Sequence, residues 1–281
     1  MFDTGGHIGH RVPMREFSPE RDPLFDLTQQ TILVFGACGG IGEAVATGLA
    51  ERGARLLVSD VNGAAARALA ERLPRGVAPV ASAECDVRSD DSVASVFKHA
   101  LEEFGRVTAV VNLAFASVLK PIVDMSEEEF SRTVDTCLGG AFRISRSAGQ
   151  VLIRQGRGGS VVHFGSIAGN RALGRGTGAY AAAKAGLEAL IREAAVEWGT
   201  HGIRVNGIAP CQTRTQPLER LLADPRHGAP GALEQRMVAR IPMGRLAEPA
   251  DMIGACVFLL SDAARMITGH MLPVDGGFLV Q

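Results

Sequence analysis

The chain has 281 residues, 46% of them apolar, with 29 Lys+Arg against 30 Asp+Glu for a formal net charge of −1. This composition supports a full hydrophobic core and excludes a disordered or fibrous chain. The balanced charge offers no basic field to nucleic acid, and no apolar run is long enough for a bilayer, so neither partner is expected.

Residues 1–25 hold Arg11, Arg15 and Arg21 against Asp3, Glu16, Glu20 and Asp22, with Gly, Pro and His between them. They lack the apolar stretch of a secretory signal and carry too many acids for a transit peptide. They are read as an N-terminal extension, a mobile or subunit-clasping arm in preference to a metal site at His7 and His10. From there to residue 281 the pattern is that of one domain. Apolar runs at 31–35, 55–59, 77–82, 107–113, 160–164, 203–209 and 271–274 alternate with helix-like segments near 41–52, 63–73, 90–104, 127–155, 179–199 and 249–260. Strands separated by helices of this length form βαβ units. The expected fold is therefore α/β: a doubly wound, seven-stranded parallel Rossmann-type sheet with helices on both faces. Residues 212–248, with Pro217, Pro225, Pro230 and Pro242 around two short helical patterns, break the rhythm and read as a substrate lid. The five cysteines, Cys38, Cys85, Cys137, Cys211 and Cys256, are scattered without a CxxC pair. That argues against a metal site or disulfide framework and for a reducing, cytoplasmic setting.

The first strand runs into Gly36-Ala37-Cys38-Gly39-Gly40-Ile41-Gly42 and then a helix. Glycines let the backbone turn sharply and approach a ligand, and the amides of the following helix then face a phosphate. Asp60 closes the second strand. A carboxylate there accepts hydrogen bonds from ribose hydroxyls and repels a 2′-phosphate, which favours NAD(H) over NADP(H). Its plainer role would be to cap the helix beginning near Gly63. The sole tyrosine, Tyr180, stands four residues before Lys184, one of only three lysines, so the two share a helical face. An ammonium near a phenol favours the phenolate and tunes it for proton exchange with a carbonyl or alcohol. Ser166 follows the fifth strand, at the end of the sheet where open α/β proteins bind ligands.

Together these residues resemble the short-chain dehydrogenase/reductase superfamily in its single-domain form, over roughly residues 26–280. The markers are GxxxGxG at 36–42, Cys85-Asp86-Val87, Asn112, Ser166, YxxxK at 180–184, Arg204-Val205-Asn206, Ala209-Pro210 and Val274-Asp275-Gly276-Gly277. The resemblance implies that Gly36, Gly40 and Gly42 cradle the pyrophosphate, with Ile41 beside the nicotinamide. Asp60 would hold the adenosine ribose, Asp86 and Val87 would border the adenine, and Asn112 would support the sheet. Ser166 would position the carbonyl and Tyr180 would be the acid/base. Lys184 would bind the nicotinamide ribose and lower the tyrosine pKa, while Pro210 and Thr215 would contact the nicotinamide side. It also implies a homotetramer or homodimer built on the long helices and the last strand.

Four positions depart from the pattern. Phe35 replaces the threonine before the first glycine, Phe115 a glycine after the fourth strand, and Cys211 the glycine after Pro210. Cys137 stands in place of the active-site asparagine and reads as a small buried apolar residue. The expected activity is an NAD(P)-dependent oxidoreductase interconverting an alcohol and a ketone or aldehyde. The alternatives are a 3-oxoacyl-carrier-protein-type reductase, suggested by Arg171, Arg175 and the lid arginines, and a nucleotide-binding regulator weakened by Phe115, Cys137 and Cys211. Leu218, Leu221, Leu222 and Met237 are expected to line an apolar substrate pocket.

Overall fold

The computed structural model of the chain describes residues 22–74, 78–225 and 229–281. The calls on His7 and His10 lie outside these residues. The strands are β1 (Thr31–Phe35), β2 (Arg55–Asp60), β3 (Val80–Glu84), β4 (Ala109–Asn112), β5 (Gly159–Phe164), β6 (Ile203–Pro210) and β7 (Met271–Val274). They form one sheet in the order β3-β2-β1-β4-β5-β6-β7, and every neighbouring pair is parallel. The order reverses between β1 and β4. At such a switch point the connections leave in opposite directions and open a crevice beyond the carboxyl ends of the strands.

Why the strands read as continuous apolar runs is visible in β1, where all five residues are buried. Ile32 and Val34 face one core with α1 (Gly40–Glu51) and α9 (Asp251–Leu260). Leu33 and Phe35 face the other, with α3 (Asp90–Phe104), α5 (Gly140–Gln155) and α6 (Gly178–Trp198). Phe35 fills that second core, its ring centre 5.9 Å from that of Phe97. The residue that departs from the family pattern before the glycine loop is thus a packing residue. The remaining helices are α2 (Gly63–Arg72), α4 (Glu127–Val134), α7 (Gln216–Leu222) and α8 (Ala232–Val238).

Two boundaries differ from the sequence reading. β3 is shifted to 80–84, beyond the apolar run at 77–82, because it is an edge strand whose register is set by pairing Leu56 with Val80 and Asp60 with Glu84. Its residues are at most half-buried, so apolarity does not mark it. The single helix expected over 127–155 is instead α4 and α5, joined by a π-helical turn at Asp135–Gly139. The start of α4 is fixed by a capping box, Ser126 with Glu129.

Candidate active site

The glycine loop sits at the switch point, and its three motif glycines are required for different reasons. Gly36 has φ +72°, and a Cβ there would lie 2.6 Å from the Ala114 amide nitrogen. A Cβ on Gly42 would run into the Gly36 carbonyl, and one on Gly40 would press on the Thr215 side chain at 3.1 Å. The loop therefore touches the turn after β4 on one side and the root of the lid on the other. α1 begins at Gly40 with Gly39 as its N-cap and no side-chain cap. Its first amides are left to face the cleft, the arrangement that receives a phosphate.

Across the cleft, β5 ends at Phe164 and the chain turns through Gly165 to Ser166, whose hydroxyl accepts the Ala168 amide at 3.1 Å. α6 then presents Tyr180 and Lys184 one turn apart. Lys184 is buried and donates to the Phe164 carbonyl at 2.6 Å, with its Nζ 5.5 Å from the centre of the Tyr180 ring. These residues share one cavity of about 210 Å³ with Gly36, Gly40, Ile41 and Gly42. Pro210 and Thr215 are the other predicted residues on its wall. Phe115, half-exposed, and Cys211 also line it, so two of the departures act on the shape of the cavity. Gly39, Leu113, Gly165, Thr213 and Pro217 line it too. Their only advance signal was adjacency to a motif or to the lid.

The electrostatics correct one expectation. Burial pushes the Tyr180 phenol up to about 12, against a smaller lowering by its hydrogen bond with Ser166. Burial also pulls Lys184 below its ordinary value. In the protein alone the lysine does not bring the phenol below its usual range, because a cation that is itself poorly solvated gives little net help to a second buried charge.

Cys137 is a second correction. It is buried, but not as an apolar filler: its Sγ donates to the Ala116 carbonyl at 3.2 Å and accepts the Ala116 amide at 3.4 Å. The thiol clips the π turn to the loop after β4. Gly186 of α6 lies against Leu138 of the same turn, where a Cβ would come within 2.9 Å of the leucine side chain. The bulge, the loop carrying Phe115 and the helix carrying Tyr180 are thereby fixed together.

Beneath them runs a buried polar chain. Asn112 accepts the Ala114 amide at 3.0 Å and pairs through Nδ2 with His163 Nδ1 at 3.2 Å, while His163 Nε2 meets Ser145 Oγ at 2.9 Å. Burial pulls His163 down to about 3, so the ring is neutral. Accepting from the Asn112 amide at Nδ1 leaves the proton on Nε2, where it serves Ser145. Asn112 thus supports the turn against which Gly36 packs.

Asp60, Asp86 and Val87 lie outside this cavity. Asp60 accepts the Cys38 amide of the glycine loop and the Asn62 amide, each at 3.1 Å. The helix cap falls to Asn62, which accepts the Ala65 amide. Asp86 is held below the usual carboxylate range chiefly by its side-chain hydrogen bonds with Arg88, the shortest at 2.7 Å. Val87 is buried against Gly140. The lid residues differ from expectation: Met237 is in the core, and Leu218, Leu221 and Leu222 pack against it. Short helices have no other surface on which to bury an apolar stripe, so the lid turns its leucines inward and its Thr213, Thr215 and Pro217 to the cavity. Among the described residues no group of three His, Cys, Asp or Glu is placed to hold a metal.

A family model described as enoyl-(acyl carrier protein) reductase matches residues 36–279. The chain belongs to the short-chain dehydrogenase/reductase superfamily. It is an oxidoreductase of that superfamily. An uncharacterised oxidoreductase of Mycobacterium tuberculosis is 37% identical over 90% of this chain and 93% of its own. The D-threitol dehydrogenase of Mycolicibacterium smegmatis is 35% identical over 92% of this chain and 95% of its own. Among solved structures, an NAD+-bound xylitol dehydrogenase superposes with a TM-score of 0.83 at 27% identity, covering 89% of this chain and 99% of its own. In this short-chain dehydrogenase/reductase the cavity at the switch point is the place where glycine loop, serine, tyrosine and lysine meet.

Proposed function

We propose that this short-chain dehydrogenase/reductase interconverts an alcohol and a ketone or aldehyde with NAD(H). The observation that carries the reading is the convergence of Ser166, Tyr180 and Lys184 with the glycine loop on one cavity. The cradle fits a dinucleotide: glycines whose Cβ positions are filled by backbone, and an uncapped helix N-terminus beside them. NAD+, when bound, supplies the hydride acceptor. The chain's own residues manage the proton and the geometry. Ser166 orients the substrate oxygen by hydrogen bonding. The Tyr180 hydroxyl gives a proton to that oxygen in reduction and takes it back in oxidation. Lys184, anchored on the Phe164 carbonyl, holds a cation beside the phenol and would hold the nicotinamide ribose of a bound cofactor. The named substrates of the threitol and xylitol relatives support a hydroxylated substrate. The family description keeps an acyl-carrier-linked substrate as the second reading.

Asp60 sets the cofactor preference in this reading. Two backbone amides fix its carboxylate at the end of β2, where a 2′-phosphate would meet like charge. Initial rates across a panel of secondary alcohols and ketones, with each cofactor at matched concentration, test both points. We expect turnover with NAD(H) at least about tenfold more efficient than with NADP(H), corresponding to ~1.4 kcal/mol. Preference for NADPH would overturn the role of Asp60, and no turnover across the panel would favour the regulator.

The glycine loop gives a further test. Gly42→Ala places a methyl group against backbone at Gly36 and Ala37, which cannot swing aside as a side chain can. Overpacking of this kind costs roughly 1–3 kcal/mol, and it falls on the surface that receives the cofactor. NADH titration by fluorescence is expected to show affinity reduced about tenfold or more, and unchanged affinity would remove the loop from the site.

Half-exposed Phe130 and Phe142, together with exposed Val196, lie on α4, α5 and α6, the helices expected to pair subunits. Apolar groups of that size in water support a homotetramer or homodimer. All five cysteines are free, in keeping with a cytoplasmic protein. No helix among the described residues is long and apolar enough to cross a membrane.

A further inference from the structure

The loop after β4 carries Phe115, Leu119, Ile122 and Val123, all large apolar side chains and between 49 and 92% exposed. Single apolar residues on a surface need no explanation, but several gathered on one short loop mark a contact still to be made. The loop is not a loose one. Cys137 exchanges two hydrogen bonds with Ala116, and the Lys120 amide donates to the Gly176 carbonyl at 3.0 Å. The Lys120 ammonium pairs with Glu129 of α4, also at 3.0 Å, and a single helical turn follows at Ile122–Asp124. The apolar side chains are presented on a fixed backbone.

Its place in the fold gives that surface a use. Phe115 lines the cavity that holds Ser166, Tyr180 and Lys184. Farther along the loop, Ile122 lies against Gly178, the first residue of α6, where a Cβ would come within 2.9 Å of the isoleucine side chain. Tyr180 stands two residues beyond. The loop therefore runs from the cavity wall to the start of the helix that bears Tyr180, with exposed apolar groups along its length.

We propose that Phe115, Leu119 and Ile122 form an apolar wall that receives a hydrocarbon arm of the substrate, attached to the carbon that reacts. This rests on the hydride-transfer reading of the cavity and narrows its substrate to alcohols, ketones or aldehydes bearing an alkyl or aryl arm. The reacting oxygen goes to Ser166 and Tyr180, and the arm leaves the cavity past Phe115 along the loop. Covering apolar surface that the protein already exposes adds affinity in proportion to the area removed from water, and needs no directional partner. A fully hydroxylated arm gains nothing there, because its hydroxyls would give up water against side chains that offer no hydrogen bond.

The test separates binding from turnover. Binding is read on the full chain saturated with NADH, which cannot reduce an alcohol. Calorimetry compares 2-butanol, 2-hexanol and 2-octanol, with sorbitol as the hydroxylated counterpart of 2-hexanol. A fully covered methylene changes affinity about fourfold, and a wall covers only one side of the arm. Binding at least about tenfold tighter is therefore expected from 2-butanol to 2-octanol, with sorbitol weaker than 2-hexanol. F115S and I122S are each expected to cut the octanol-to-butanol ratio by roughly threefold or more, in affinity and, with NAD+, in kcat/KM. Both positions face water, so the unfolding temperature should stay close to that of wild type. No binding, affinity that is flat with chain length, or a rise that survives both substitutions overturns the wall. Length-dependent binding that the substitutions weaken, without oxidation of any alcohol, supports the wall while removing the dehydrogenase reading. Equal oxidation of sorbitol and all three alkanols by wild type and variants does the reverse. Substitutions that change the sedimenting mass and leave the ratio alone assign the surface to a second copy of this chain and overturn the wall.

Discussion

Tyr180→Phe is expected to lower kcat by roughly a thousandfold, within the 10²–10⁴ range for removing a positioned proton donor. The substitution takes away one oxygen and leaves the ring that fills the cavity wall beside Lys184. NADH binding should persist within about tenfold, since a single hydrogen bond contributes only about 0.5–1.5 kcal/mol. Thermal unfolding should barely move, because Ser166 keeps its bond to the Ala168 amide. The loss should appear in kcat more than in KM, as expected for a group whose interaction strengthens in the transition state. Steady-state kinetics with NADH fluorescence on the same preparation read both quantities. Activity retained within tenfold would remove Tyr180 from the chemistry and overturn the proposed proton-transfer mechanism. Loss of NADH binding alongside activity would instead mean that the ring, not the hydroxyl, is what the site needs.

Much of the scaffold could be read from local pattern. β1 is apolar at every position because both of its faces are buried, and that run leads directly into the glycine loop. The same logic located Ser166, Tyr180 and Lys184, since each follows a strong strand or opens a long helix. The failures share a different cause. Cys137 reads as an apolar filler until Ala116, 21 residues away, is seen to exchange two hydrogen bonds with it. The π turn around it leaves no mark in hydrophobic periodicity, which a one-residue bulge shifts only slightly. β3 owes its register to β2 and not to its own apolarity. The lid leucines carry a pattern that states they are buried but not against what. Each error lies where a contact between distant segments decides the outcome, and so does the sign of the Tyr180 shift.

Lys184→Met should reduce kcat by about 10²–10⁴-fold through the phenol it accompanies. Methionine preserves the length and apolar volume of the buried stem, so the core beside Phe164 stays filled. What disappears is the cation and its bond to the Phe164 carbonyl. Because Tyr180 is the only tyrosine, an ultraviolet pH titration reports this one phenol. In the protein without nucleotide its midpoint should lie near about 12, above the ordinary 10.0, since burial dominates. The raised value fixes the sign of its linkage to stability. Tyr180 contributes stability below pH 10, and that contribution is lost as the pH rises toward 12, where the unfolded chain has released its proton and the folded chain has not. Saturating NAD+ brings a second positive charge to the cavity and should move the midpoint down, and with it the pH at which alcohol oxidation begins. With NAD+ bound, Lys184→Met should leave the midpoint higher than in wild type and shift the oxidation profile to higher pH. A merely structural lysine would change the unfolding temperature without moving either curve. Titrations that coincide in wild type and variant, with and without NAD+, would show that the phenol does not sense Lys184 and would separate the lysine from the proton transfer.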